Sequence, residues 1–251
     1  MSDLSDFIPR RRLYGVQAQH EQQLPFRIRL VQSETDLKRA VAVRMQAYAR
    51  CVPGMATVLQ EPEPEDYRDD AVLLMAESKT DGQILGSMRL ITNVQQALHF
   101  GLGTPLPALF YQRRLLAAGR LTVCHSEQSR LVASALYKSL YEISFHARMD
   151  HVLVTARHPV DRLYKAMQFK DALNGQKLAQ SHTLNLPHGL YYLPVREADT
   201  LWRTAQCPLY PFMALTHHPD IEIDHALVHR RFNHPASSSP NRYTQLATAI
   251  S

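Results

Sequence analysis

Apolar residues repeat along the chain with two different periods, and the change of period predicts an alternation of strands and helices. Over 26–31 apolar and polar positions alternate, which predicts a strand. Ser33, followed three residues later by Asp36, forms a capping box that opens a helix. Apolar positions then recur at helical spacing to about Arg50. The first predicted elements are therefore a strand and a long helix.

The same two periods continue through the rest of the chain. The apolar runs 71–77 and 83–92 are joined by Asp81-Gly82, a dipeptide typical of hairpin turns. The most regular helical period covers about 126–148. The remaining predicted elements are a strand at 115–123, a strand at 151–156, a helix at 159–167, strands at 176–184 and 189–195, and a helix at 197–204.

The resulting order, β-α-β-β-β-α-β-α-β, predicts an α+β fold in which helices flank a mixed sheet. The chain has 251 residues, 45% of them hydrophobic, which is enough for one large domain. We expect that domain to cover 25–234. Residues 1–24 have no period and residues 235–251 are rich in Ser and Pro, so both ends are expected to be mobile.

Three features of composition indicate a soluble cytoplasmic protein without integral membrane association. No run approaches eighteen apolar residues, and the N-terminus lacks the charged-then-apolar order of a signal peptide. Cys51, Cys124 and Cys207 are scattered and odd in number, so they are predicted to be free thiols.

Charge is distributed unevenly along the chain. Residues 61–70 carry six acids and one arginine, a local net charge of −5, so the remaining residues carry +10 against a total of +5. A basic surface suits a nucleic acid, an anionic membrane or an acidic protein partner. Aromatic residues are not interleaved with the basic ones, so no nucleic-acid partner is predicted.

Three arginines lie inside apolar runs, where a charge is costly unless it is paired. Arg44 falls on the apolar stripe of the first helix, and Arg89 and Arg120 fall within predicted strands. Guanidinium groups pair best with carboxylates, and Asp66 and Asp69 lie in the acidic segment between the first two arginines. We therefore predict an arginine–aspartate cluster beside a cleft; the alternative is that each arginine reaches the surface from the rim of the core.

The thirteen histidines do not form a recognisable metal pattern. No metal is predicted, and surface or capping positions are expected for His217, His218, His225, His229 and His234. The apolar and aromatic segment 208–215 has no clean period. Two interpretations of it stay open, a wall of an acyl tunnel and a packed loop.

Short motifs in the predicted elements resemble those of one enzyme family. In chain order they are Arg44 and Tyr48, Asp66-Tyr67-Arg68-Asp69, Gly86-Ser87-Met88-Arg89-Leu90, Arg120-Leu121-Thr122-Val123, Arg130, and Leu163-Tyr164 with Phe169. In this order and spacing, over roughly 26–195, the chain resembles a branch of the GNAT acyltransferases. That branch contains the long-chain N-acyl amino acid synthases and the related acyl-homoserine-lactone (autoinducer) synthases.

The resemblance implies a GNAT-like acyltransferase fold, with splayed strands in the central sheet, and an N-acyltransferase activity. A fatty acyl group would pass from a thioester to the α-amine of an amino acid, giving an N-acyl amino acid. The implied catalytic residues are Asp66, Asp69, Arg89 and Arg120. The implied substrate-binding residues are Arg44, Tyr48, Leu121 and Val123, and backbone N–H groups near 121–123 would stabilise the tetrahedral oxyanion.

Two positions depart from the family pattern. Ala117 stands where the family commonly has a glutamate, which leaves the proton acceptor open between Asp66 or Asp69, Glu127, His125 and a water; an aspartate-linked water is favoured. The segment before the long helix, 125–130, has no glycines to wrap the pyrophosphate of coenzyme A.

The second departure favours an acyl donor carried on the phosphopantetheine of an acyl carrier protein, with a coenzyme A thioester as the alternative. No other cofactor is expected. Carrier proteins are acidic, and a basic face would steer one in. The predicted contacts to the carrier or its pantetheine arm are Arg113, Arg114, Arg130, Lys138, Arg162 and Tyr164.

Two other functions stay open at this point. One is an acyl-homoserine-lactone synthase, although no adenine pocket is evident in the sequence. The other is a catalytically inactive GNAT-like module that binds a carrier protein or an acyl chain.

Overall fold

The structure is a computed structural model that describes residues 20–100, 105–179 and 186–233, together with the backbone of 12–13 and 16–17. Most of the predicted N-terminal tail and the whole of the predicted tail 235–251 lie outside the described residues. His234 and the last five residues of the predicted strand 176–184 also lie outside them, and the described part of that strand is β-paired only at Leu178–Ala179.

Six α-helices are described: α1 (Glu34–Cys51), α2 (Pro53–Val58), α3 (Ser129–His146), α4 (Val160–Ala166), α5 (Ala198–Thr204) and α6 (His225–Asn233). Short helical turns lie at Pro64–Tyr67, Ala108–Phe110 and Pro211–Leu215. The described strands are β1 (Arg12–Leu13), β2 (Val16–Gln17), β3 (His20–Glu21), β4 (Phe26–Leu30), β5 (Ala71–Ser78), β6 (Ile84–Thr92), β7 (Leu115–Val123), β8 (His151–Ala156), β9 (Lys170–Asp171), β10 (Leu178–Ala179), β11 (Pro187–Pro194), β12 (Thr216–His217) and β13 (Ile221–Glu222).

The main sheet has the strand order β10-β11-β8-β7-β6-β5-β4-β13, and β9 pairs with β11. The contacts β7–β8 and β4–β13 are parallel, whereas the other contacts in that order are antiparallel. The mixed sheet predicted from the sequence is therefore confirmed.

Residues that alternate along a central strand pack against helices on opposite faces of the sheet. Leu74 belongs to the core beneath α3, whereas Leu73 packs with Leu37 and Val41 of α1. Because successive side chains of a strand point to opposite faces, one strand serves both helical layers. The two long helices therefore sandwich the centre of the sheet.

The α3 helix lies close to strand β6 at Gly86. A Cβ atom at this position would lie 2.8 Å from the backbone oxygen of Thr122 and 3.0 Å from Val132. Glycine is therefore needed here by packing, and the glycine of the Gly86–Leu90 motif has a structural reason.

The boundary predicted between residues 24 and 25 lies within the fold. Leu24 is buried, and its backbone N–H donates a 2.7 Å hydrogen bond to the carboxylate of Asp220. Just before it, β3 pairs in parallel with β12. The ordered domain therefore begins earlier than the sequence indicated.

Candidate active site

Three arginines and two acids form a buried ion-pair cluster on the α1 face of the sheet. The arginines are those predicted from the sequence: Arg44 from α1, Arg89 from β6 and Arg120 from β7. The acids are Glu63, the N-cap of one short turn, and Asp66, the third residue of that turn. Arg44 is 1% exposed and Asp66 is 0% exposed, so this cluster belongs to the interior.

The hydrogen bonds of the cluster link all five side chains. Arg44 donates to both carboxylate oxygens of Asp66, at 2.8 and 3.0 Å, and to Glu63 at 3.1 Å. Arg89 Nη1 donates to Glu63 at 3.0 Å and to Asp66 at 2.9 Å. Arg120 donates from Nε and Nη2 to the two carboxylate oxygens of Glu63, at 2.7 and 2.5 Å. Bidentate pairs of this kind fix orientation as well as distance.

Glu63 and Asp66 are three residues apart in the sequence, and a capping box holds them in one short turn. Glu63 is the N-cap of the turn Pro64–Tyr67, and its backbone N–H donates to the Asp66 carboxylate at 2.8 Å. Pro64 occupies the first position of the turn, where its missing N–H costs nothing. The segment Glu63–Asp66 therefore presents both carboxylates towards the sheet.

The cluster carries one surplus positive charge at neutral pH. Burial alone would raise the pKa of Glu63, but the hydrogen bond from Arg120 and the charge of Arg89 lower it overall. Burial is likewise outweighed at Asp66, where the hydrogen bond and charge of Arg44 lower the pKa. Both acids are therefore ionised, and three guanidinium groups face two carboxylates.

The backbone of β7 is bulged at Arg120. Ser87 of β6 pairs with Thr122, and Arg89 pairs with Gly119, so two residues of β7 oppose Met88 alone in this register. Arg120 has a φ of +54°, in the left-handed region that non-glycine residues seldom adopt. The bulge turns the Arg120 side chain towards Glu63, which holds it there.

Strands β7 and β8 separate immediately before the bulge. Their parallel pairing runs from Leu115 opposite His151 to Ala118 opposite Val154, while β7 continues to Val123 and β8 to Ala156. The last five residues of β7 therefore leave a wedge-shaped opening next to β8. This opening is the splayed pair of strands predicted from the sequence.

A polar cavity of about 270 Å³ lies on the arginine side of this opening. Its charged and polar lining comes from Glu63, Glu65, Arg68, Arg89, His99, Arg120 and Thr155. Its apolar lining comes from Ile91, Leu98, Phe100, Ala117 and Ala118, with Gly119 between them and Arg120. The polar cavity suits a small ionic molecule.

A second cavity, of about 320 Å³, lies along the unpaired end of β7 and is here called the apolar cavity. It shares Ala118, Gly119, Arg120 and Thr155 with the polar cavity. Its own lining includes Tyr48, Met55, Leu121, Val123, Ala156, Val160 and Tyr164. The two cavities therefore meet where the strands separate.

Four predicted site residues line the apolar cavity in addition to Arg120. Leu121 and Val123 belong to the unpaired part of β7, and Tyr48 lies beside Arg120, whose Cζ is 5.8 Å from the centre of the Tyr48 ring. Tyr164 is buried on α4, and this burial raises the pKa of its hydroxyl, which stays protonated at neutral pH.

The sequence predicted the wrong second acid for the arginine cluster. Asp69 is half-buried, and no ion pair or hydrogen bond joins it to Arg44, Arg89 or Arg120 among the described residues. Glu63 takes that place. The available signal was the Glu-Pro start of the segment, since proline in the first turn of a helix marks the preceding residue as its cap.

The predicted carrier-protein contacts do not lie on one surface. Arg113 and Arg114 precede the first residue of β7, whereas Arg130 lies at the N-terminus of α3, beyond its last residue. Nine strand residues span about 30 Å, so these two groups face opposite ends of the sheet. Arg114 also donates to the Ala147 carbonyl and to Asn233, which makes it a structural residue.

Lys138 is excluded from a docking role because it is 0% exposed. Its ammonium donates to the backbone oxygens of Phe212 and Thr216 and contacts His218 Nδ1 at 3.0 Å. Burial lowers the pKa of Lys138 to about 8, and burial together with the Lys138 charge lowers the pKa of His218 to about 3. Lys138 therefore fastens the segment 211–218 to α3.

His218, His225 and the segment 208–215 make packing contacts within the fold. His218 contacts Lys138, and the His225 ring lies at a tilted angle against His146 with ring centres 4.2 Å apart. In the described part of the chain, three or more His, Cys, Asp or Glu side chains do not gather as a metal site. Leu209, Tyr210 and Phe212 pack against the main core and line neither cavity of the site, so 208–215 is a packed segment.

The helices on both faces, the mixed sheet and the separated parallel strands define a GNAT-like acyltransferase fold, which confirms the predicted fold class. None of the described helices is long and apolar enough to cross a bilayer.

Comparison with known proteins supports this assignment of the fold. No protein-family model and no curated protein matches the chain. Among solved structures it is similar to FeeM, an N-acyl amino acid synthase from uncultured soil microbes, with 15% identity and a TM-score of 0.52 over 74% of this chain and 96% of that one. It is also similar to BjaI, a CoA-dependent acyl-homoserine lactone synthase, with 14% identity and a TM-score of 0.52 over 82% of this chain and 98% of that one. At these identities the similarity establishes the fold.

Proposed function

We propose that the protein is an N-acyltransferase that moves a fatty acyl group from an acyl carrier protein thioester to the α-amine of an amino acid. The observation that carries this proposal is the junction of two chemically different cavities where β7 and β8 separate. The carbonyl of a thioester at this junction would be open to an amine bound in the polar cavity, while the acyl chain would lie in the apolar cavity. The similarity to FeeM, named as an N-acyl amino acid synthase, and to BjaI, named as a CoA-dependent acyl-homoserine lactone synthase, supports acyl transfer as the type of reaction.

The polar cavity is the site for the amino acid. Arg89 uses Nη1 for Glu63 and Asp66, and its Nε and Nη2 have no hydrogen-bond partner among the described residues. These two nitrogens form the fork that binds a carboxylate in a bidentate manner. Together with the surplus charge of the cluster, Arg89 would therefore bind the carboxylate of the acceptor.

The acceptor amine must lose a proton before it attacks, because an α-amine is mostly protonated at neutral pH. The lowered pKa values of Glu63 and Asp66 make both acids weak bases. Water in the polar cavity, which Glu63 lines, would therefore relay the proton from the amine to bulk solvent. The rate is then expected to rise with pH until the acceptor amine is fully deprotonated.

The nitrogen attacks the thioester carbonyl, and the resulting oxyanion needs a donor in the opening. Cys124 donates its backbone N–H to Leu85 of β6 at 2.8 Å. Because successive N–H groups of a strand point to opposite sides, the N–H of Val123 points to the unpaired side next to β8. This group would stabilise the oxyanion. Tyr164 would protonate the departing thiolate and, directly or through water, take back the proton that the attacking nitrogen loses as the amide forms.

The N-terminus of α3 favours a donor with a single phosphate over coenzyme A. Two backbone N–H groups of the preceding turn are already used, since Ser126 N–H donates to Ser129 Oγ and Ser129 N–H donates to the Ser126 oxygen. Fewer amides are then left for a pyrophosphate. Exposed cations at the mouth of the apolar cavity, Arg50 and Arg157 in its lining and Arg162 on α4, would attract an acidic carrier protein.

Mass spectrometry of products made by the purified protein tests the proposal. The protein would be supplied with acyl carrier protein or coenzyme A thioesters, together with amino acids or S-adenosylmethionine. We expect N-acyl amino acids, formed faster from the carrier protein thioester. Acyl lactones would instead identify an acyl-homoserine lactone synthase, and absence of both products would contradict an enzymatic role.

A pair of arginine variants tests the site itself. Arg89→Met is expected to raise KM for the amino acid at least tenfold, because the free guanidinium edge is lost. Arg113→Met, at the opposite end of the sheet, serves as the matched control and should leave KM unchanged. Equal kinetics for the two variants would show that the acceptor does not bind at Arg89. Arg89→Lys, which keeps the charge but not the fork, separates charge from geometry.

A further inference from the structure

A third cavity, of about 510 Å³, lies at the C-terminal end of α3, away from the opening between β7 and β8. Its lining residues are Phe145, His146, Arg148, Met149, Val195 and Arg196. We call it the distal cavity. Its volume falls within the range of about 300–1,000 Å³ that is typical of small-molecule sites.

The distal cavity and the candidate active site occupy opposite ends of the same elements. Met149 precedes β8, whose other end, at Thr155 and Ala156, lines the apolar cavity. The six residues of β8 span about 20 Å. The distal cavity shares no lining residue with the apolar cavity and is a separate site from the junction where acyl transfer is proposed.

The chemistry of the distal cavity combines an apolar floor with a cationic rim. Met149 and Val195 are each 1% exposed, and half-buried Phe145 extends this floor. Arg148 and Arg196 are exposed, and neither has an ion pair or hydrogen bond from its guanidinium among the described residues. The nearest acid in sequence to Arg196, Glu197, is paired with Lys170. No lining residue carries a negative charge.

We propose that the distal cavity binds a single-chain amphiphile with a carboxylate headgroup. The two guanidinium groups would hold the carboxylate, and Phe145, Met149 and Val195 would cover the first part of the chain. Two sources share this chemistry, a free fatty acid and an N-acyl amino acid. Binding of the second as a product rests on the proposed function, whereas binding of a free fatty acid does not.

Photolabelling with a diazirine-bearing fatty acid, followed by peptide mapping of the intact protein, tests this proposal. We expect labelled peptides from the segments 145–149 and 195–196, separate from any label in 118–123. The variant Arg148→Glu/Arg196→Glu should lower the distal label at least tenfold and leave label near 118–123 unchanged. Lys38→Glu/Arg203→Glu, with the same change of charge at two exposed positions, is the matched control and should keep the distal label.

Competition distinguishes the ligands. Decanoate and an N-decanoyl amino acid should both displace the distal label, and the stronger competitor identifies the preferred source, whereas decanol should not displace it. The proposal is overturned if the distal segments are not labelled, if the label survives charge reversal, or if decanol competes as well as decanoate. Because labelling requires no turnover, these outcomes are independent of whether the protein transfers acyl groups.

Discussion

Replacement of Asp66 by asparagine should destabilise the protein strongly, because it removes one of the two carboxylates that neutralise the arginine cluster. Asp66 accepts two hydrogen bonds from Arg44 and one from Arg89, and it also accepts the backbone N–H of Glu63. Asparagine has nearly the same shape but no charge, so three guanidinium groups would face Glu63 alone within this cluster.

The size of the effect follows from burial. Arg44 and Asp66 are 1% and 0% exposed, so solvent screens neither group. Removal of one partner from a buried ion pair costs about 3–5 kcal/mol, because the remaining charge stays in the interior without compensation. We therefore expect the free energy of unfolding of Asp66→Asn to fall by about 3–5 kcal/mol, which is a large part of the total stability of an ordinary domain.

Denaturant unfolding of two variants measures this effect. Asp69→Asn makes the same chemical change three residues away, at a half-buried carboxylate that does not bond the three arginines, and should cost less than about 1 kcal/mol. The double variant Arg44→Met/Asp66→Asn should recover part of the loss, since the unpaired charge is removed as well. Similar losses for the two single asparagine variants would refute the assignment of Asp66 as the partner.

Three further predictions concern stability. Lys138→Met should lower the free energy of unfolding by about 2–4 kcal/mol in thermal or denaturant melts, because buried acceptors left without a donor cost about 1–3 kcal/mol each. Between about pH 8 and 10.5, Lys138 is protonated in the unfolded chain but deprotonated in the folded protein. The free energy of unfolding should therefore rise with pH in this window, and Lys138→Met should lose that rise. The pKa values of Glu63 and Asp66 are lowered from 4.5 and 3.8, so the stability that their pairing contributes should be complete above those values. It should be lost as the pH falls through the lower pKa values of the folded state. Unfolding measured from pH 7 to 2 checks this. Gly86→Ala should cost about 1–3 kcal/mol because its Cβ would lie 2.8 Å from the Thr122 backbone oxygen of β7 and 3.0 Å from Val132 of α3, whereas Gly119→Ala, with no atom within 4 Å of the added Cβ, should cost little. Equal melting temperatures for these two variants would contradict the close packing around Gly86.

Local patterns in the sequence located most of the helices and central strands. Ser33 caps the first helix as predicted, since its hydroxyl accepts the Asp36 N–H at 3.1 Å, and the strand predicted at 151–156 has those ends in the structure. These elements carry strong local signals, such as a cap or an uninterrupted apolar run. Helix α6 has a weaker signal, since only Val228 and Phe232 of its nine residues are buried.

The partners within the site were harder to predict because they depend on the fold. The three arginines were evident as charges inside apolar runs, but their carboxylates lie in a segment of six acids, any of which was a candidate. Register and the direction of one short turn decide between Glu63 and Asp69. The same limit applies to Lys138, which the sequence predicted to be a surface cation. In the fold the segment 211–218 covers it.

The arginine cluster explains how β7 can pair with β8 at its N-terminal end and separate from β8 at its C-terminal end. A bulge with Arg120 in the left-handed region is strained, and such a conformation persists where surrounding contacts fix it. Glu63 supplies those contacts by gripping Arg120 from a turn that Asp66 and Arg44 anchor to α1. The buried charges therefore shape the opening as well as its electrostatic field. It follows that loss of Glu63 should distort the junction of the two cavities even where the fold survives.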